Sequence, residues 1–220
     1  MTRKTKNAPR NPPRQARSQA TVSAIFDATT RILDREGAEA ATTTRIAAVA
    51  GVSIGTLYQY FADRDAILDA LQEREFDRAL ALMSDVLSDR HLARSPRATV
   101  TAVVRGLGEL YAACPGLQRA LAIDALSTTH GGPKPARVEA FDMRIIAIVR
   151  HFLGAMHATA RRSNVEAAAF VVHHAVRAVM LARLLERPAG LDEKALEAEL
   201  VDLVLRYLVE EPRAVKRRAR

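Results

Sequence analysis

Cysteine is almost missing from this chain: Cys114 is the single one among 220 residues, and there is no tryptophan. One thiol excludes an intramolecular disulfide framework. Because Cys114 stands before Pro115-Gly116, it reads as a structural thiol at a break between helices, with a redox sensor as the alternative. Glycine and proline are sparse, at 10 and 9 residues, and no alternating β-branched segment stands out, which leaves an all-α fold. No apolar N-terminal segment of the signal-peptide kind is present. The longest apolar stretch, Val165 to Leu185, is interrupted by His173, His174, Arg177 and Arg183, so it is not expected to span a membrane. These features point to a cytoplasmic protein. Chemistry-bearing motifs are missing as well: there is no glycine-rich phosphate loop, HExxH or nucleophile elbow. His173 and His174 are adjacent and are expected on different sides of a helix, unlike an i, i+4 chelating pair. His151 and His157 match one face poorly. No catalytic residue, metal site or cofactor is expected.

What is present is apolar content of 49%, ample for a core, and a net charge of +8. The charge is unevenly spread. Arg3, Lys4, Lys6, Arg10, Arg14 and Arg17 fall in an acid-free first segment, and Arg213, Lys216, Arg217, Arg218 and Arg220 close the chain. Setting those eleven aside leaves the remainder negative by about three. Residues 1–17, with Pro9, Pro12 and Pro13, read as a disordered basic arm. Such an arm either follows nucleic-acid phosphates or only keeps the chain soluble. Residues 211–220 form a second basic tail with the same two readings.

Between Thr42 and Phe61 the chain reads TTTRIAAVAGVSIGTLYQYF, two short helical patterns joined at Gly51. Ala47 supplies a small side chain where two steeply crossing helices come closest, and Gly51 tolerates a positive-φ turn. Ile46, Ala50, Val52 and Leu57 are spaced to fill the wedge between them. The Thr42-Thr43-Thr44 run and Ser53 offer hydroxyls to the open N–H groups of each helix. The second helix is short and carries Ser53, Thr56, Tyr58, Gln59 and Tyr60. Hydroxyls, an amide and phenols shown outward from a helix braced by an apolar partner are what reading a DNA groove requires.

Residues from about Arg17 to Leu71 resemble the DNA-binding domain of tetracycline-repressor-type (TetR family) regulators. The resemblance rests on Thr44-Arg45-Ile46-Ala47, Gly51-Val52-Ser53, Gly55-Thr56-Leu57-Tyr58-Gln59-Tyr60-Phe61 and Asp63-Arg64-Asp65. It implies that Thr44 contacts phosphate and that Ser53, Ile54, Gly55, Thr56 and Gln59 face base edges. Tyr58 and Tyr60 would clamp the backbone on either side, although the residues alone also allow them a place in a small aromatic core. Arg64 stands where the family often has lysine, and the resemblance gives it a phosphate contact as well. The helix over 18–36 would complete a three-helix domain, 18–63, and Asp63 would cap the long helix that follows.

Beyond it, 64–210 reads as a larger helical domain for ligand binding and dimerisation, for about nine helices in total. Ser95-Pro96 opens a helix, Leu117–Leu126 forms a short one, and Thr129–Pro135 is the clearest loop. A long helix runs past Val138 to Met156. Asn164 can cap a helix over 165–186 that is apolar on nearly every side, and Asp192 opens a last one. The resemblance implies a homodimer built by pairing the last two helices, and a palindromic operator on double-stranded DNA. It also places a small-molecule effector among the middle helices. Leu107, Tyr111, Leu121, Met143, Phe152, Met156 and His174 are the candidate lining, with Arg105 or Arg177 as polar handles. The aliphatic supply suits an apolar or amphipathic molecule. The expected function is a sequence-specific repressor released by such a ligand. The alternative is a ligand-independent or architectural DNA-binding protein whose second domain only dimerises, or one that meets a protein partner at the Thr129–Pro135 loop.

Overall fold

The computed structural model describes residues 14–88, 95–129, 136–155, 164–186 and 190–208. The first thirteen residues, the C-terminal tail, 130–135 of the loop and Met156 lie outside that set. Among the described residues there are nine helices and no strand. They are α1 (Arg14–Arg35), α2 (Thr43–Ala50), α3 (Ile54–Tyr58), α4 (Arg64–Val86), α5 (Pro96–Ala113), α6 (Pro115–Thr129), α7 (Ala136–Ala155), α8 (Val165–Glu186) and α9 (Glu193–Leu208). The chain divides into two compact units between Gln72 and Glu73, a point inside α4.

Most helix starts follow from one local rule. The first N–H groups of a helix have no partner within it, and a short polar side chain just before it can accept from them. Thr42 Oγ1 accepts from Arg45 N at 3.2 Å, Ser53 Oγ from Thr56 N at 3.0 Å, and Asp63 Oδ1 from Ala66 N at 2.7 Å. In the second unit Ser95 Oγ accepts from Ala98 N at 3.2 Å, Asn164 Oδ1 from Ala167 N at 2.9 Å, and Asp192 Oδ2 from Ala195 N at 2.8 Å. The start of α1 departs from the expected residue 18. The helix already includes Arg14 and Arg17.

In the first unit α1 packs on α2 and α2 on α3. Ile25, Ile32, Ile46, Leu57, Ile67 and Leu71 are completely buried there. Phe26 and Phe61 meet beside them with ring centroids 5.7 Å apart. In the second unit α7 lies along α8 and α5 along α9. Their core includes Val104, Ile145, Val149, Ala169, Leu200 and Val201. A buried carboxylate ties α4 to α6 within this unit: Glu75 accepts from Gln118 Nε2 at 3.0 Å and from Arg78 Nη1 at 2.9 Å.

By length and apolarity α8 would suffice to cross a membrane. It also carries a buried, hydrogen-bonded histidine, His173, and packs against α7.

Candidate nucleic-acid interface

Gly51 ends α2 with φ 70°, the left-handed conformation that glycine adopts without a Cβ penalty, and its N–H closes back on Ala48 O at 3.3 Å. The turn delivers Ser53 as the cap of α3. From there a single side chain of α3, Leu57, is buried, at 0% exposure. Ser53, Ile54, Gly55, Tyr58 and Gln59 are exposed and Thr56 and Tyr60 half-buried. A helix of five residues cannot stand alone in water. Leu57 fastens it to the core, and the rest of its surface is left for something outside the fold.

Three contacts refine the expected roles. Ser53 Oγ and Thr56 Oγ1 lie 2.8 Å apart, so the two hydroxyls share one hydrogen bond while Ser53 also caps the helix. Each keeps remaining capacity for a base edge. Tyr58 Oη lies 3.3 Å from Thr43 Oγ1 with its ring 52% exposed, so it stands on the surface rather than in an aromatic core. Arg64 donates from Nε to Ala41 O at 3.1 Å and from Nη2 to Ala38 O at 3.3 Å, and pairs with Asp65. Its guanidinium therefore fastens the α1–α2 connection to the start of α4, a role sequence reading did not anticipate.

Gly55 is informative for the opposite reason to Gly51. It is helical, and a Cβ built on it would meet only Ser53 Oγ, at 3.8 Å. Alanine would fit and would favour the helix by roughly 1 kcal/mol. The fold does not need this glycine. Thr44 is exposed on the first turn of α2. Next to it Arg45 makes a two-point pair with Glu36, Nη2 to Oε1 at 3.0 Å and Nε to Oε2 at 3.2 Å. The hydrogen bond from Glu36, and then its charge, hold the Arg45 guanidinium above its ordinary range.

The second unit places the expected ligand candidates unevenly. Leu121 and Phe152 are buried, and Leu107 and Tyr111 pack against the core. Burial pushes the Tyr111 phenol up, with Arg177 opposing. Met143 is 65% exposed and must be withdrawn as a pocket residue. Along α7 the inward line is Val138, Asp142, Ile145, Val149 and Phe152, and Met143 sits about 140° around the helix from its centre. Met156 lies outside the described residues. Arg105 lines a cavity of about 270 Å³ among α5, α8 and α9, with Val104, Gly108, Met180 and Leu200. There it pairs with Glu197 at 2.8 Å, and that hydrogen bond, then the charge of Glu197, raises its pKa. The other described candidates do not line this cavity.

The interior also contains a polar cluster. His173 Nε2 donates to Asp142 Oδ1 at 2.8 Å, and Arg177 Nη1 donates to both Asp142 oxygens at 3.3 Å. The His174 ring lies 4.9 Å from that of His173, centroid to centroid, and 4.2 Å from Phe170. The expectation that adjacent histidines diverge is thus corrected. Their backbone positions differ by about 100°, but the reach of two imidazoles brings a ring nitrogen of each within 4.8 Å of the other and of an Asp142 oxygen. Asp142 itself went unnoticed. The signal was an acid standing on the apolar stripe of α7.

Residues 25–71 match the bacterial regulatory proteins of the tetR family, and residues 95–208 match the tetracyclin repressor-like C-terminal domain. The second match alone covers over half the chain. The chain belongs to the TetR family. It is therefore a DNA-binding transcriptional regulator. Over 59 residues it is 36% identical to an uncharacterised HTH-type transcriptional regulator of Haemophilus influenzae, a stretch covering 27% of this chain and 32% of that protein. The likeness thus spans about a third of that relative's length. Among solved structures, this TetR-family chain resembles SmeT, the repressor of the Stenotrophomonas maltophilia multidrug efflux pump SmeDEF. The TM-score is 0.68 at 19% identity, over 88% of this chain and 93% of that one. It also resembles FadR from Bacillus subtilis in complex with stearoyl-CoA, with TM-score 0.67 at 16% identity, over 84% and 98% of the two chains. At such identities the likeness concerns the fold.

Proposed function

We propose that this regulator is a cytoplasmic, homodimeric repressor that reads a palindromic operator through α2 and α3, and that a small apolar or amphipathic ligand in the second unit releases it. The observation that carries the reading is α3 itself: one buried side chain, a glycine the fold does not need, and a hydroxyl, amide and phenol surface. In this reading Ser53, Ile54, Gly55, Thr56 and Gln59 approach base edges. Thr44, Tyr58 and Tyr60 hold phosphates, and Arg64 braces the domain from behind as well as offering charge. Residues 1–17 and 211–220 add sequence-independent attraction to phosphate, residues 18–63 form the DNA-binding domain, and 64–210 bind ligand and dimerise.

Dimerisation is supported by apolar side chains left outside on the last two helices: Phe170 at 55%, Val171 at 44% and Leu203 at 54% exposure. One three-helix domain makes too small an interface for useful specificity, and two would read half-sites about one helical turn, ~34 Å, apart. Ligand release is supported by an interior that combines aliphatic packing with the Asp142–His173–Arg177 cluster, and by relatives of this fold described as an efflux-pump repressor and as a stearoyl-CoA complex. A ligand that prefers the non-binding state lowers DNA affinity by its differential affinity for the two states.

Sequence selection from a random duplex library with the purified full chain tests this. A palindrome with matched half-sites is expected. Recovery of base composition alone, with steep salt dependence, would replace the reading with a ligand-independent architectural one.

A further inference from the structure

We propose that Asp142, His173 and His174 form a three-ligand site for a divalent transition-metal ion of the zinc type. Two imidazoles and one carboxylate are the donors that suit such ions, whereas magnesium and calcium ask for oxygen alone. One ligating atom from each of the three residues lies within 4.8 Å of the other two. Bonds of about 2.0–2.2 Å to zinc set neighbouring ligand atoms roughly 3.3–3.5 Å apart, so closure takes side-chain adjustment without movement of a helix.

The surroundings are those an ion can use. Asp142 and His173 are buried and His174 half-buried, which shelters the site yet leaves it reachable. All three residues stand on two helices packed along each other, α7 and α8, rather than on loops. Arg177 donates from Nη1 to both Asp142 oxygens at 3.3 Å, the kind of outer partner that fixes a ligating carboxylate.

Binding replaces the hydrogen that His173 Nε2 shares with Asp142 by the ion, and the neutral imidazole keeps its one proton on Nδ1. Three protein ligands leave at least one position open. Asp142 and Arg177 cancel in charge, so the ion makes the locus positive, and the open position takes an anion such as hydroxide or a carboxylate. The site thereby extends the ligand reading of the second unit, although metal binding itself requires neither DNA nor a dimer.

The test uses the full chain, stripped of metal, with Co²⁺ followed by its visible absorption and Zn²⁺ followed by calorimetry. One ion per chain is expected, with Co²⁺ bands of low coordination number that Zn²⁺ displaces, and Zn²⁺ should raise the thermal midpoint of the wild type. His174→Ala should weaken binding by about tenfold or more while leaving the metal-free helical signal intact. His151→Ala should leave affinity unchanged. Absence of Co²⁺ bands and of a thermal shift in the wild type overturns the site, and so does a His174→Ala chain that binds as the wild type does. Operator binding is measured separately, so loss of one finding leaves the other standing.

Discussion

Helices α3 and α8 solve opposite problems. The first has five residues, buries one of them and shows the others to solvent. The second has 22 residues, buries six, and keeps a histidine among them. In α3 the polar groups are outward and the fold needs only Leu57. In α8 a polar group, His173, is inward, and it must find a partner or destabilise the core. The proposed function follows this contrast: it uses a surface that is not needed for folding in one unit, and the inside of the folded core in the other.

That contrast can be broken at Leu57. Leu57→Ala removes the one anchor of α3 and should cost about 4 kcal/mol of first-unit stability. Urea unfolding reads the loss, and DNA binding should fall on every sequence alike. Asp142→Ala attacks the other side. It leaves His173 and the partly buried Arg177 without their carboxylate and should cost about 3 kcal/mol, read from the thermal midpoint of the second unit. Gln59→Ala should leave stability unchanged yet weaken preferred over random DNA by about 1–3 kcal/mol, at particular half-site positions. If Gln59→Ala unfolded the domain instead, the division between fold and surface on α3 would be wrong. The subtlest test is Gly55→Ala, where the two effects should have opposite signs: a gain of about 0.5–1 kcal/mol in stability and a loss of DNA affinity. A stabilised variant with unchanged DNA affinity would remove the close-approach argument.

What could be read in advance follows the same division. The helix starts were legible because each cap acts within three residues: Thr42 on Arg45, Ser53 on Thr56, Asn164 on Ala167. The turn at Gly51 and the inward placing of Leu57 were legible for a similar reason, since local spacing fixes both. The ties of Arg64 to Ala38 and Ala41 were not, because they join residues 26 and 23 positions apart in sequence. Nor was the meeting of His173 with Asp142 across 31 positions. Such contacts depend on how whole helices pack, which periodicity does not specify. Met143 shows the residual error: an apolar residue beside the inward line of α7 reads as core until the helix is rotated into place.

The single buried side chain of α3 also bears on how this regulator diverges. Substitutions at Ile54, Thr56 or Gln59 leave Leu57 in its socket and Ser53 at the helix cap, so under the proposed function mutation can try new base preferences with little risk to folding. The inward residues of α8 have no such licence, since a change at His173 must be answered by one at Asp142 or Arg177. Descendants of this chain are therefore expected to change operators by single steps and to change interiors only by linked ones.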